Sequence, residues 1–316
     1  MAESSIPVDL LNPGQVFACL GLLELADKLL GNAQGAFDWS TEGDTTFRLS
    51  TQGADEPVGR IIATLAEAEI FEVEPLGWTG EISKKARKAG AFPSPLHYHR
   101  DNDGDYKRTK LPITLQLGES ALGEFSIEHW TDFSSRPDFK LYAGNRSGFS
   151  IACDMVHGKR SKPTKEAGET KVLNWGVEQL WRNNPTGLSV SPFDVLVPMA
   201  GSFNFDARGA WTPIDEGFSP DKQSYSLQAS PLVEILAVVA LENMRPREVK
   251  RGVFQYCAWS DPLSPELARI AIQGHLPEFR VRRFEFALGY SGKNKIVSFA
   301  EEPPEQLATS TQQTKP

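Results

Sequence analysis

The pattern of apolar and polar positions first marks a buried helix near the start of the chain. Val16, Phe17, Leu20, Leu22, Leu23, Leu25, Ala26, Leu29 and Leu30 cover most of a helical circumference. Glu24, Asp27 and Lys28 leave one narrow polar edge, with Glu24 and Lys28 at the favourable i,i+4 spacing. Asn12 is placed to cap the first turn, and Pro13 follows at the first helical position, where its missing N–H costs nothing. Gly31 supplies the left-handed residue that closes such a helix. A short strand around Ile6 leads in. A helix apolar nearly all round belongs in a core with layers on several sides, so the N-terminus is expected to be part of that core.

Period-two alternation then predicts a hairpin, with Phe37 to Ser40 and Thr45 to Ser50 flanking a turn at Gly43-Asp44. Asp55 and Pro57 open a second helix whose apolar face is Ile61, Ile62, Leu65 and Ile70. Strand, helix, hairpin, helix is the beginning of a ferredoxin-like order. Four strands are expected next, at Ile113 to Leu117, Gly123 to Trp130, Phe139 to Ala143 and Phe149 to Met155. In the last, Phe149, Ile151, Cys153 and Met155 share one face of an extended chain.

Further on, the sequence predicts a helix from Asn174 to Trp181 and strands at Val195 to Val197 and Phe203 to Phe205. Ser230-Pro231 opens a strongly apolar helix from Leu232 to Met244, a cap of the same kind as Asn12-Pro13. Strands follow at Val253 to Trp259, Phe279 to Leu288 and Ile296 to Ala300, the last two pairing through the loop from Gly289 to Lys295. The expected class is α+β, with mainly antiparallel sheets, buried helices and ferredoxin-like (RRM-like) elements. The expected halves are residues 1–165 and 166–300. The stretch 301–316, rich in Pro, Glu, Gln, Ser and Thr, reads as a disordered tail.

Composition narrows the picture. The net charge of −8 argues against coating nucleic acid with a uniformly basic surface, while leaving room for local basic patches. Cys19, Cys153 and Cys257 lie far apart, without zinc-ligand spacing, and their odd number suits a reducing cytoplasm. Glu3 and Asp9 stand where a signal peptide carries Lys or Arg, and no apolar run is long and charge-free enough to span a bilayer. The expectation is a cytoplasmic protein without a membrane partner and without a cofactor.

Two basic stretches stand out. Lys84, Lys85, Arg87 and Lys88 precede Phe92, Tyr98, His99 and Arg100, and Tyr106, Lys107 and Arg108 follow. The second stretch contains Lys159, Arg160, Lys162 and Lys165. Cations for phosphates interleaved with aromatics for bases is the chemistry of single-strand binding. A solvated loop balanced by nearby carboxylates is the ordinary alternative. His97, His99 and Asp101 alternate as metal ligands can, but no paired cysteines or third histidine lie near. The stretch from His99 to Lys110 fails as a calcium loop because its first and last positions carry no acid. Arg269 and His275 have a spacing used by some helical ribonucleases, yet Gly274 and Pro277 end the helix there. Arg280, Arg282 and Arg283 flank a strand, with Arg280 and Arg282 on the same side. They can meet phosphate or form a ladder with Glu278 or Glu285. Asp206 and Arg208 can pair to fix their loop. There is no phosphate-cradling G-x-x-x-x-G-K-[ST] and no G-x-S-x-G.

Two blocks carry a family resemblance. One is V-D-L-x-N-P-G-Q-V-F-A-C-L-G-L-L-E-L-A, from Val8 to Ala26. The other is Gly201-Ser-Phe-Asn-Phe-Asp-Ala-Arg-Gly-Ala-Trp211, then Asp215 to Phe218, Ser230 to Ala237, and Arg245-Pro246. In order and spacing they resemble a small family of subunits encoded in type I-G (formerly I-U) CRISPR operons, of the Csb/Csx kind, described as large-subunit-like components of the surveillance complex. The resemblance implies a non-catalytic role in antiviral defence, with crRNA or target DNA held through the basic loops and base pairing supplying specificity. It implies other Cas subunits as partners and a separate helicase-nuclease for cleavage. The alternatives are a metal-independent endoribonuclease that matures crRNA through His97, His99 or His275, and a structural adaptor whose basic loops touch only protein. Trp211, Asp215 and Phe218 are expected to form a packed corner.

Overall fold

Two caps of the polar-Pro kind, Asn12-Pro13 and Ser230-Pro231, start the two helices at the centre of the molecule. The computed structural model of the chain describes residues 2–41, 43–53, 55–74, 97–99, 111–118, 123–130, 139–142, 146–161, 172–199, 201–210, 227–276, 280–291 and 294–304. Strand β1 (Ala2–Pro7) enters helix α1 (Pro13–Leu30), whose residues Pro13 to Ala26 are all buried. The hairpin β2 (Gln34–Thr41) and β3 (Asp44–Thr51) follows, then α2 (Pro57–Ala66). The first sheet has the order β1-β3-β2, antiparallel throughout.

The next strand, β4 (Glu69–Glu74), completes the expected β-α-β-β-α-β chain order but joins a different sheet. That sheet runs β5 (His97–His99), β4, β6 (Ile113–Gln116), β7 (Glu124–Ile127). In a ferredoxin-like sheet the fourth strand would lie beside β1. Here a short helix further along the chain packs against β1 instead.

Helix α3 (Gly148–His157) corrects an expectation, because the sequence pattern placed a strand at Phe149 to Met155. Apolar residues at every second position fit either structure over so short a run. The ends decide: the Ser147 side chain caps the Ser150 amide, and Gly158 closes the helix at φ +74. Phe139 to Tyr142 is likewise not a strand, although the Leu141 carbonyl accepts a bond from the Lys295 amide.

The chain continues through β8 (Lys159–Arg160), β9 (Val172–Asn174), α4 (Val177–Asn183) and α5 (Pro185–Val190). Helix α5 is the one that covers the free edge of β1. The helix expected from Asn174 therefore starts three residues later, after the β8–β9 pair. Strands β10 (Val197–Pro198) and β11 (Gln228–Ala229) form a second two-stranded pair. Residues Phe203 to Phe205 bend where a strand was expected, with Asn204 at φ +69.

Helix α6 (Pro231–Asn243) is buried from Pro231 to Leu241 and lies against α1. Gly21 permits that approach, since a Cβ there would fall on the Leu236 carbonyl. Gly21→Ala is therefore expected to cost about 3 kcal/mol, at the upper end of overpacking effects. A urea midpoint within experimental scatter of the wild type would show that the helices can part without loss.

A four-stranded antiparallel meander closes the core: β12 (Arg247–Lys250), β13 (Val253–Trp259), β14 (Val281–Ser291) and β15 (Asn294–Val297). Helix α7 (Pro265–Ala271) lies between β13 and β14 in the chain. Strand β14 runs to Ser291 and pairs it with Asn294, so Gly289 to Ser291 and Asn294 to Lys295 of the expected loop belong to the strands. Phe17 of α1 meets Tyr256 and Phe286 of this sheet edge-on, at 5.8 and 6.0 Å. Trp259 donates to the Gly35 carbonyl and packs edge-on against Phe37, which joins the meander to the first hairpin. One apolar cluster extends from Ile6 to Ala300. Glu301 belongs with the folded part, exchanging backbone bonds with Glu285, while residues 305–316 of the expected tail lie outside the described residues.

Candidate nucleic-acid interface and buried junction

The two sequence blocks that carry the resemblance meet at one buried polar junction. Asn12 caps α1 by accepting from the Gly14 amide, and Ser230 caps α6 by accepting from the Val233 amide. Asp206 lies between the two caps. Its Oδ1 accepts from Asn12 Nδ2 at 3.0 Å, and its Oδ2 from the Ser230 amide at 2.9 Å. Arg208 adds two side-chain bonds to the same carboxylate, at 2.9 and 2.8 Å, so the pairing expected within the loop is present. Arg208 also reaches the Phe193 carbonyl. Gly14 lets the loop close down, because a Cβ there would overlap the Phe205 carbonyl.

Glu234, in the first turn of α6, completes the junction. Its Oε1 accepts from the Phe205 and Asp206 amides at 3.1 and 2.8 Å. Those two bonds explain why the stretch does not run on as a strand: the Phe205 and Asp206 amides go to a carboxyl group instead of a neighbouring strand. Oε2 has no hydrogen-bond partner among the described residues. Burial raises the carboxyl well above its ordinary value, to about 8, with the Asp206 charge adding to the effect. The Glu234 group faces a cavity of about 240 Å³ that Arg146, Ser202, Asn204 and Asp206 also line. Glu234 escaped the sequence analysis because an acid in a first helical turn looks like ordinary dipole compensation.

At the surface, Arg280 and Arg282 hold their guanidinium groups 5.5 and 5.9 Å from the ring centre of Trp39, on the first hairpin. Arg282 is paired with Glu302 at 2.7 Å and Arg280 is exposed, while Glu278 lies outside the described residues. Glu285 instead accepts from Gln255. Arg48 lies 3.8 Å from Asp38 on the same hairpin. The sequence placed the arginines on one side of a strand, but Trp39 lies far away in sequence, and only the packing of β2 beside β13 and β14 brings it there.

Of the basic loops, Lys159 and Arg160 form β8, which pairs with β9. Lys84, Lys85, Arg87, Lys88, Arg100, Lys107, Arg108, Lys162 and Lys165 lie outside the described residues, as do Asp101, Trp211, Asp215 and Phe218. His97 and His99 lie on β5, paired with Glu74 and Glu72 of β4. No group of three or more His, Cys, Asp or Glu side chains able to hold a metal forms among the described residues.

Arg269 is engaged elsewhere than the Arg–His spacing predicts. It makes a two-pronged bond to Glu24 of α1, at 3.0 and 2.9 Å, and Glu24 is only 6% exposed. The expected Glu24–Lys28 contact gives way to this one, because Lys28 points into solvent and Glu24 does not. Helix α7 ends at Ala271, before His275. Burial pushes all three cysteine thiols up, Cys153 to about 12. Among the described residues, no helix is long and apolar enough to cross a membrane.

Compared with protein families, curated proteins and solved structures, the chain has no match.

Proposed function

We propose that this chain is a non-catalytic subunit of a crRNA-guided surveillance complex of the type I-G CRISPR kind, in contact with crRNA or the target strand. The observation that carries the nucleic-acid part is Trp39 flanked by Arg280 and Arg282. The guanidinium groups lie over the ring, and planar cations stacked on an aromatic give a surface on which a base can stack together with charge for its phosphate, independent of sequence. The resemblance supplies the complex. It gains support from the junction, where Asn12, Asp206, Arg208 and Ser230 from both blocks depend on one another. Inert thiols and an Arg269 committed to Glu24 favour binding over strand cleavage. Cutting then falls to a helicase-nuclease partner. Leu173, Trp175 and Val190, each about half exposed, offer apolar contacts for neighbouring subunits.

Trp39→Ala is expected to weaken binding of a short labelled single-stranded RNA roughly 5- to 150-fold, the range of one base–aromatic stack. Arg280→Ala should flatten the plot of log affinity against log salt by about 0.7, the share of one phosphate contact on a single strand. Fluorescence anisotropy measures both. Wild-type affinity in the two variants would move the interface away from this face. Co-expression with the operon neighbours and a CRISPR array, followed by sequencing of co-purified RNA, tests the complex; a chain recovered alone and free of RNA would count against it.

A further inference from the structure

The cavity at Glu234 has a wall composition that selects a ligand. At about 240 Å³ it is several times the roughly 30 Å³ occupied by one water, yet below the roughly 300–1,000 Å³ of pockets for drug-sized molecules. It has room for one ring. Arg146, Met199, Gly209 and Asn294 in its lining are partly exposed, so it opens to the surface. Ile151, Leu227 and Ile296 give apolar surface for the faces of a planar group.

The charges inside are matched in pairs. Asp206 is bonded to Arg208, and Arg146 to Asp154. Glu234 alone lacks a cation, is fully buried, and has its Oε2 unpartnered among the described residues. A phosphate would sit against Glu234 and Asp206. A metal ion would find Asp206 already saturated by Asn12, Arg208 and Ser230. A neutral, planar, polar ligand remains.

We propose that this cavity receives one unpaired nucleobase, read at its edge by Glu234 and Asn204. The proposal rests on the nucleic-acid function above. Oε1 of Glu234 is occupied by two amides, so a proton on this carboxyl sits on the unpartnered Oε2, buried in the cavity wall, where it is the donor nearest an entering base. Asn204 accepts from Ser202 through Oδ1, which leaves its Nδ2 as a second donor lining the same space. Two donors call for an edge with two acceptors, such as N7 and O6 of guanine. Adenine, with an amino donor beside N7, fits worse. Asn204 is held at φ +69, a conformation that its loop keeps although side chains other than Gly and Asn rarely adopt it.

Besides burial, the groups that set the protonation of Glu234 are all on the 201–210 loop: the Asp206 carboxylate favours the neutral acid, and the backbone amides of Asn204, Phe205 and Asp206 oppose it; Arg146, ahead of α3, lines the same cavity but is paired with Asp154. Loss of the Oε2 proton replaces a donor by a buried anion and should release an acceptor edge.

The test is an NMR titration of the full chain with guanosine and with adenosine, alongside RNA binding by wild type and Trp39→Ala. Guanosine should shift resonances of the 201–210 loop, with adenosine roughly ten-fold weaker, the cost of one mismatched edge contact. Ala210→Trp, which fills the cavity from its rim, should abolish the shifts. Glu234→Gln keeps an acceptor for the two amides and a donor for the base. It should therefore bind at neutral pH and lose the roughly ten-fold fall expected of the wild type by about pH 9. Shifts that survive Ala210→Trp, or none with any nucleoside while RNA still binds through Trp39, would overturn the cavity proposal and leave the function standing. Guanosine bound in the cavity of a chain that binds no RNA would overturn the function and keep a nucleoside site. Displacement of guanosine by a glutamine-containing peptide of higher affinity would overturn the nucleobase in favour of a protein ligand.

Discussion

Asp206→Ala is expected to be the most damaging single substitution in the molecule, lowering stability by about 3–5 kcal/mol, the cost of removing one partner of a buried ion pair. Asp206 is 2% exposed, and its carboxylate accepts from Asn12, Arg208 and Ser230 at once. Its removal leaves the Arg208 guanidinium without its counter-charge. The Asn12 amide and the Ser230 N–H are also left unpaired away from water. Both losses fall on the first turns of α1 and α6, the two helices that pack most extensively against each other at the centre. Asp206→Asn should do nearly as much harm, since its NH₂ would face a donor on either side. Urea midpoints for Asp206→Ala, Asn12→Ala and the double variant give the coupling directly. Strongly non-additive losses mark one cooperative unit. A cost for Asp206→Ala below about 1 kcal/mol, the worth of an ordinary hydrogen bond, would mean the junction does not hold the caps together.

The helices of that centre were legible in the sequence because their signals are local. Asn12-Pro13 and Ser230-Pro231 announce their helices within two residues, and an apolar circumference announces burial. The hairpin and the β13–β14 pair were legible for the same reason, through alternation and turn residues. The region from Phe139 to Met155 was misread because the apolar residues of α3 happen to alternate, so the caps at Ser147 and Gly158 were the better guide. Local signals also failed wherever a side chain takes the place of a neighbouring strand. Phe203 to Phe205 looks extended, yet the Phe205 amide and the next one, of Asp206, are taken by Glu234 from a helix that starts well downstream. The Asp206–Arg208 pair was visible from its spacing, whereas the link from Asp206 to Asn12 joins residues 194 apart. The Trp39–Arg280–Arg282 face and the Glu24–Arg269 pair were hidden for the same reason, since each needs the tertiary packing that carries β2 to β14 and α1 to α7.

Glu234 predicts an unusual dependence of stability on pH, opposite to that of a salt-bridged acid. Its carboxyl is held at about 8 in the folded chain, against an ordinary value of 4.5. The fold therefore binds the proton more tightly than the unfolded chain does. The stability this proton contributes is complete below about pH 4.5, falls through the interval, and is gone above about pH 8. The full interval corresponds to about 5 kcal/mol and the part reached by pH 7 to about 3 kcal/mol. Glu234→Gln keeps an oxygen for the Phe205 and Asp206 amides and cannot ionise. It is expected to match the wild type near pH 4 and to exceed it by about 3 kcal/mol at pH 7, with a larger margin at pH 8. Urea unfolding of both proteins across this range isolates the effect, because every other titrating group is common to the pair. Parallel curves would show that Glu234 titrates in the folded chain as it does in the unfolded one, and so is ionised at neutral pH. A margin that opens with rising pH would show that the junction joining the two helix caps holds a neutral acid, which fits the donor the cavity proposal requires.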